Sequence, residues 1–403
     1  MAGTALLASL LFSACGSSEE GSSAGESSAS EELAEGDSAS GLEEASGSES
    51  ASESQADSSQ DSAENEEAEI AGESAEEEEV IVPYDHTLCF AGDVSLADGS
   101  VPAQAYASYG LSGCFSDSLL TEMQEADLFC LNSEFAFTDG GTALSGKDYT
   151  YRSDPSRISI LQEMGTDVAV LANNHVFDYG EEGLLDTLET FRSADLPYVG
   201  AGEDLDEASA VYYAELGDCT VAYVAGTRVE WSELTRGADE DQSGVFRTTE
   251  SNELICERIA EASENADFVV VYIHWGIENT ASLESYQVDS GEEFIDAGAD
   301  VVVGDHPHEL QGIAWYDDKP IFYSMGNFWF SSYGKYTMLL EVEITRDESG
   351  EETAEYRLVP AWTENGQVTA ITDESGQREF YDYMESLSSG VTIDDDGIVL
   401  QAE

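Results

Sequence analysis

Positive charge is what this chain has least of. Its 403 residues carry 13 Lys and Arg against 86 Asp and Glu, a formal net charge of −73, and no Lys or Arg occurs before Lys147. A field of that sign argues against binding nucleic acid, or an anionic membrane surface, through charge. Cysteine is also sparse. The six cysteines show no CxxC spacing, so neither a disulfide framework nor a zinc knot is indicated. Cys89, Cys130 and Cys219 lie in apolar runs and read as buried thiols. From residue 16 to about residue 80 apolar side chains other than alanine nearly vanish, leaving Ser, Glu, Ala, Gly and Asp. Such a segment has too little apolar surface to offset its ordering entropy, so residues 16–82 are expected to form a disordered acidic tether.

The N-terminal apolar run, residues 5–12, is too short to span a bilayer and reads as the end of a secretory signal. Ser13-Ala14-Cys15 followed by Gly-Ser-Ser resembles a bacterial lipobox. That resemblance implies a lipid on Cys15, attachment to the membrane only through this N-terminal anchor, and an extracytoplasmic location. The alternative is a plainly cleaved signal and a secreted protein. The folded part is expected over residues 83–403, long enough to bury a real core.

From there strand-like and helix-like stretches alternate. Apolar runs at 87–91, 128–131, 167–172, 220–225, 268–273, 301–303 and 321–324 read as strands, with shorter ones at 198–199 and 211–216. Helical patterns fall at 115–126, 156–164, 181–194, 250–265 and 291–297. Two longer alternating runs, 336–344 and 354–360, flank a turn at 347–350 and predict an antiparallel hairpin. Repeated βα units with added antiparallel strands predict a layered α/β sandwich.

Residue placement carries the functional signal. Asp93, Glu134, Asn174, His175, His274, His306 and His308 each follow an apolar run by a few residues, and four of the five histidines are in this set. In a sheet with parallel strands those ends lie along one edge, so residues distant in sequence converge. Pro307 biases His306 towards an extended conformation. In an extended segment His306 and His308, two apart, point to the same side. Taken singly, each residue has a plainer reading as a turn, a cap or a core histidine; taken together they indicate a metal site. Imidazole, carboxylate and amide donors without thiolate suit Mn, Fe or Zn better than Ca. The donors suffice for two divalent ions, which at about 3.5–4 Å apart clamp a phosphoryl oxygen.

The motifs Gly92-Asp93-Val94-Ser95-Leu96, Asn132-Ser133-Glu134, Asn173-Asn174-His175 with Asp178 and Gly180, His274-Trp275-Gly276 with Glu278, Gly304-Asp305-His306-Pro307-His308 with Gln311, and Tyr323-Ser324-Met325-Gly326-Asn327-Phe328 occur in this order. Over residues 87–330 the set resembles the CapA family, which is associated with poly-γ-glutamate capsule biosynthesis and related to calcineurin-like metallophosphoesterases. The resemblance implies a layered α/β/β/α sandwich of the metallophosphoesterase type, with the hairpin near its C-terminal end. It implies Asp93 and His308 on one metal, Asn174, His274 and His306 on the other, and Glu134 between them. It further implies His175 as general acid or charge-stabilising donor, oriented by Asp178, with Arg152, Glu278 and Asn327 as substrate-binding candidates. Two positions depart from the phosphoesterase pattern: Ser95 where an imidazole is usual, and Glu134 in place of Asp. The implied activity is phosphoester-type hydrolysis on a phosphoester or an anionic envelope polymer, with a membrane capsule-synthesis complex as partner. The alternative is a non-catalytic polymer-binding or assembly subunit using the same pocket.

Overall fold

The computed structural model describes residues 81–229, 234–330 and 332–402. The signal, Cys15 and almost all of the acidic tether lie outside the described residues. In chain order, the strands of the two large sheets are β1 (Tyr84–Val94), β2 (Leu128–Ser133), β3 (Val168–Val170), β4 (Tyr198–Val199), β5 (Tyr212–Glu215), β6 (Thr220–Thr227) and β7 (Phe268–His274). They continue with β8 (Val301–Asp305), β9 (Ile313–Tyr316), β10 (Lys319–Phe322), β11 (Asn327–Trp329), β12 (Lys335–Arg346), β13 (Glu352–Glu364) and β14 (Gln367–Ala370).

The first sheet runs β14-β13-β12-β1-β2-β3-β4, with β11 also beside β1. The strands β1 to β4 are parallel, and the expected hairpin, β12 with β13, continues the sheet antiparallel to β1. The second sheet runs β9-β10-β8-β7-β6-β5. Its centre, β6, β7, β8 and β10, is parallel, and its two edge strands are antiparallel. Strands buried on both faces need apolar side chains at every position. That is why Val301, Val302 and Val303 are all fully buried.

Alternate side chains divide among three cores, as the two-residue period of a strand requires. Leu88, Phe90, Cys130 and Val170 of the first sheet face Tyr223, Val270, Tyr272 and Val303 of the second. Cys89, Ala91, Phe129 and Leu131 turn outward onto helices carrying Leu119, Met123, Leu161, Leu184, Leu188 and Phe191. Val269, Val271 and Val302 pack on the opposite side against Ile255, Ile259 and Phe294. The result is the expected α/β/β/α sandwich. Cys89, Cys130 and Cys219 are buried free thiols.

Some local outcomes differ from the sequence expectation, among them the unforeseen helix Val101–Tyr109. The helix foreseen over 291–297 begins earlier, at Ser285, where Gln287 accepts the Glu284 N–H at 3.0 Å. The amphipathic helix Glu374–Leu387, not foreseen, buries Phe380, Tyr381 and Met384 against the inter-sheet core.

Candidate metal centre

The C-terminal ends of β1, β2, β3, β7 and β8 deliver the polar residues. Beneath them lies a buried asparagine frame. Asn132 donates to Asp93 Oδ1 at 3.0 Å, and Asn173 donates to Asn132 Oδ1 and the Ser133 carbonyl, both at 2.9 Å. Asn173 Oδ1 in turn accepts the N–H groups of His175 and Val176, each at 3.0 Å. The turn after β3 is thus tied to β2 by protein groups alone. Asp93 is seated by a close backbone approach: its N–H donates to the Gly326 carbonyl at 2.9 Å. A Cβ on Gly92 would lie 2.1 Å from that same oxygen, so only glycine fits there.

Glu134 is fully buried, and neither carboxylate oxygen has a hydrogen-bond partner among the described residues. Its Oε1 stands 3.6 Å from His274 Nε2, 3.9 Å from His175 Nε2 and 4.0 Å from His308 Nε2. Burial, reinforced by Asp93 and Asp305, pushes its carboxyl well above the ordinary range. Burial pushes His274 well below the usual imidazole range, and takes His306 down to about 3. A buried carboxylate without partners is expensive. A cation between Glu134 and the neutral imidazoles removes that cost, so the donor set fits a divalent metal.

Two groups of donor atoms, each within 4.8 Å of one another, share Glu134: Glu134, His274 and His306, and Asp93, Glu134 and His308. A third group joins Asp93, His274 and Asp305. His274 Nδ1 meets Asp305 Oδ1 at 2.6 Å, which leaves Nε2 facing the cluster, 2.8 Å from Asn174 Oδ1 and 3.1 Å from His306 Nδ1. A carboxylate behind a ligating histidine fixes its ring and raises its basicity. Asp93 Oδ2 meets His308 Nδ1 at 3.0 Å. Although burial opposes it, that bond holds the Asp93 carboxyl below the ordinary range.

The structure gathers Asp93, Glu134, Asn174, His175, Asp178, His274, His306 and His308 at this edge. His175 Nδ1 lies 2.7 Å from Asp178 Oδ2, and the Tyr151 ring packs on the imidazole with centroids 4.3 Å apart. Asn327 pairs in register with Asp93 and is buried, with its Oδ1 unpartnered among the described residues. Glu278 is exposed on the loop after β7. Arg152 pairs with Asp98 at 4.0 Å and lies over the Tyr179 ring at 4.9 Å, so its guanidinium is engaged outside the cluster.

The local conformation of the histidine pair corrects the sequence expectation. His306 and His308 adopt φ of 94° and 57°, not an extended backbone. β8 ends at Asp305, in register with His274, and the chain bends at once. Both rings still reach Glu134, but through left-handed turns that are costly for residues with a Cβ. Sequence reasoning placed Asp305 in a motif beside His306 but gave it no role; its signal was a carboxylate at the end of a buried strand. It also missed Lys147, marked only as the first cation of the chain.

Fold and site together define a four-layer α/β sandwich with a buried cluster of nitrogen and oxygen donors at its strand ends. The family model described as "Bacterial capsule synthesis protein PGA_cap" matches residues 87–332, and the chain belongs to that family. It is 32% identical over 250 residues to the capsule biosynthesis protein CapA of Bacillus anthracis, covering 60% of this chain and 57% of that protein. It is 36% identical over 185 residues to the PGA biosynthesis protein CapA of Bacillus subtilis (strain 168), covering 46% and 48%. The chain thus spans about half the length of these curated relatives. Among solved structures, a hypothetical protein from Thermus thermophilus aligns with TM-score 0.42 and 17% identity, covering 69% of this chain and 99% of that one. The NAD nucleotidase of Haemophilus influenzae aligns at 0.39 and 12%, covering 78% and 65%. At such scores the fold rests on the layer order described above.

Proposed function

We propose that this is a cell-envelope protein acting in the synthesis or anchoring of a poly-γ-glutamate-type capsule polymer, through metal-dependent phosphoester-type hydrolysis. The observation that carries this reading is Glu134, a buried carboxylate with both oxygens unpartnered among the described residues and three imidazoles within 4.0 Å. Asn174, His274, His306 and Glu134 would hold one divalent ion, and Asp93, His308 and Glu134 a second, with Mn, Fe or Zn suited to these donors. When bound, such ions supply Lewis-acid polarisation of a phosphoryl oxygen.

The chain's own residues do the rest. His175 keeps Nδ1 against Asp178 and turns Nε2 towards the cluster, where it donates a proton to the leaving oxygen. Asn327, beside Asp93, offers an amide to the substrate. The substrate is a phosphoester or an anionic envelope polymer, the partner a membrane capsule-synthesis complex, and the anchor a lipid on Cys15. The family assignment and the relatives' capsule roles support this setting.

One observation favours a second reading, a non-catalytic polymer-binding or assembly subunit. The Asp93, Glu134 and His308 group has a single imidazole, because Ser95 stands where phosphoesterases carry another, and Ser95 Oγ is buried without a hydrogen bond among the described residues. Metal analysis of the purified full chain, then a phosphomonoester and phosphodiester screen with Mn, separates the two. Turnover abolished by His175→Ala with metal retained supports the hydrolase. A metal-loaded protein that turns over neither ester class while binding polymer supports the subunit. A metal-free protein whose folding ignores Asp93→Ala overturns the site.

A further inference from the structure

Lys147 is almost wholly buried, with 4% of its side chain exposed, in a chain where cations are scarce. Its ammonium donates to the Asn174 carbonyl and forms an ion pair with Asp178 Oδ1 at 2.9 Å. The other oxygen of Asp178 accepts the Tyr151 N–H at 2.5 Å and meets His175 Nδ1 at 2.7 Å. The Leu144 N–H donates to the Asp178 carbonyl at 2.9 Å. The segment from Leu144 to Tyr151 is therefore fastened to Asp178 at three points, while the Tyr151 ring covers His175.

We propose that Lys147 is the positioning residue of the candidate acid, fixing Asp178 so that Asp178 fixes His175. The second torsion of an aspartate is broad and two-fold, so a buried carboxylate held at one oxygen alone can rotate. Lys147 takes Oδ1 and thereby commits Oδ2 to the imidazole. Through the Asn174 carbonyl the same ammonium ties down the turn that presents both Asn174 and His175. The arrangement extends the logic of a base oriented by a carboxylate one member further. It rests on the role proposed above for His175, so its test has one arm that needs no turnover.

In that arm, the full chain loaded with diamagnetic Zn is studied by NMR, and the His175 ring proton is assigned by its disappearance in His175→Ala. The proton held against Asp178 is expected to exchange slowly in wild type, to be lost in Lys147→Met, and to persist in Lys147→Arg. In the second arm, with bis(p-nitrophenyl) phosphate and Mn, Lys147→Met is expected to lower kcat by about 10–100-fold, part of what general acid catalysis contributes. With Mn saturating, KM stays unchanged, and Lys147→Arg restores part of the rate. Should Lys147→Met fail to fold, Lys147→Leu, which likewise carries no donor, replaces it in both arms. A slowly exchanging ring proton and full kcat in the neutral variants overturn the proposal. Wild type without turnover but with the ring proton lost in Lys147→Met sinks the hydrolase reading and leaves the positioning role standing.

Discussion

Glu134, which follows β2 of the first sheet, and His274 and His306 of the second are all buried, whereas His308, which completes the group with Asp93 and Glu134, keeps 15% of its side chain exposed. The deep half has two imidazoles and the Asn174 amide oxygen, and Asp305 holds His274 from behind. The outer half has one imidazole, whose Nδ1 is already engaged by Asp93, and a Phe330 ring packed against it at 4.7 Å. Neutral, pre-oriented nitrogen donors bind a first-row metal with little rearrangement. If the proposed pair of ions binds, the deep half is expected to hold its ion more tightly than the outer half.

That contrast can be broken at its shared member. Glu134→Ala is expected to empty both halves, read as bound metal in the purified protein; two ions retained would dissolve the idea of a common donor. The next largest effect separates the halves. His274→Ala should remove the deep ion, while His308→Ala should leave one tightly bound ion, measured by equilibrium dialysis with Mn. Equal losses in the two variants would make the halves a single unit. A smaller change sharpens the deep half: Asp305→Asn should weaken its affinity by about 10–100-fold, as loss of a carboxylate behind a ligating histidine does, with the outer half unaltered. The smallest effect is outside both. Arg152→Ala removes an exposed ion pair with Asp98 and should shift stability by about 0–1 kcal/mol in thermal unfolding. A raised KM with unchanged stability would instead mark Arg152 as an anion-binding group.

Much of the frame was legible in the chain because it depends on local patterning. The run 268–273 is apolar at every position, and the strand Phe268–His274 is buried throughout. The hairpin was legible for the opposite reason, its alternation, and Lys335–Arg346 pairs with Glu352–Glu364 in continuous register. The helix Glu374–Leu387 was not, because Phe380, Tyr381 and Met384 are buried in the core while most of the remaining side chains are polar. The histidine pair misled for a physical reason as well. Pro307 disfavours the right-handed region for His306, and extended backbone is the usual escape, but His306 took the left-handed region instead.

By itself the sequence determined which segments are buried strands, that their C-terminal ends carry nitrogen and oxygen donors, and that the thiols at 89, 130 and 219 are sealed in the core. These follow from side-chain polarity and periodicity, which act over a few residues. Only the tertiary structure decided the partnerships: Asp305 on His274, Asp93 on His308, Lys147 on Asp178, and Arg152 on Asp98. Such pairs depend on how two sheets and their loops come into register. Hydrogen bonds and ion pairs are decided by separations of a few ångströms, which no spacing along the chain encodes.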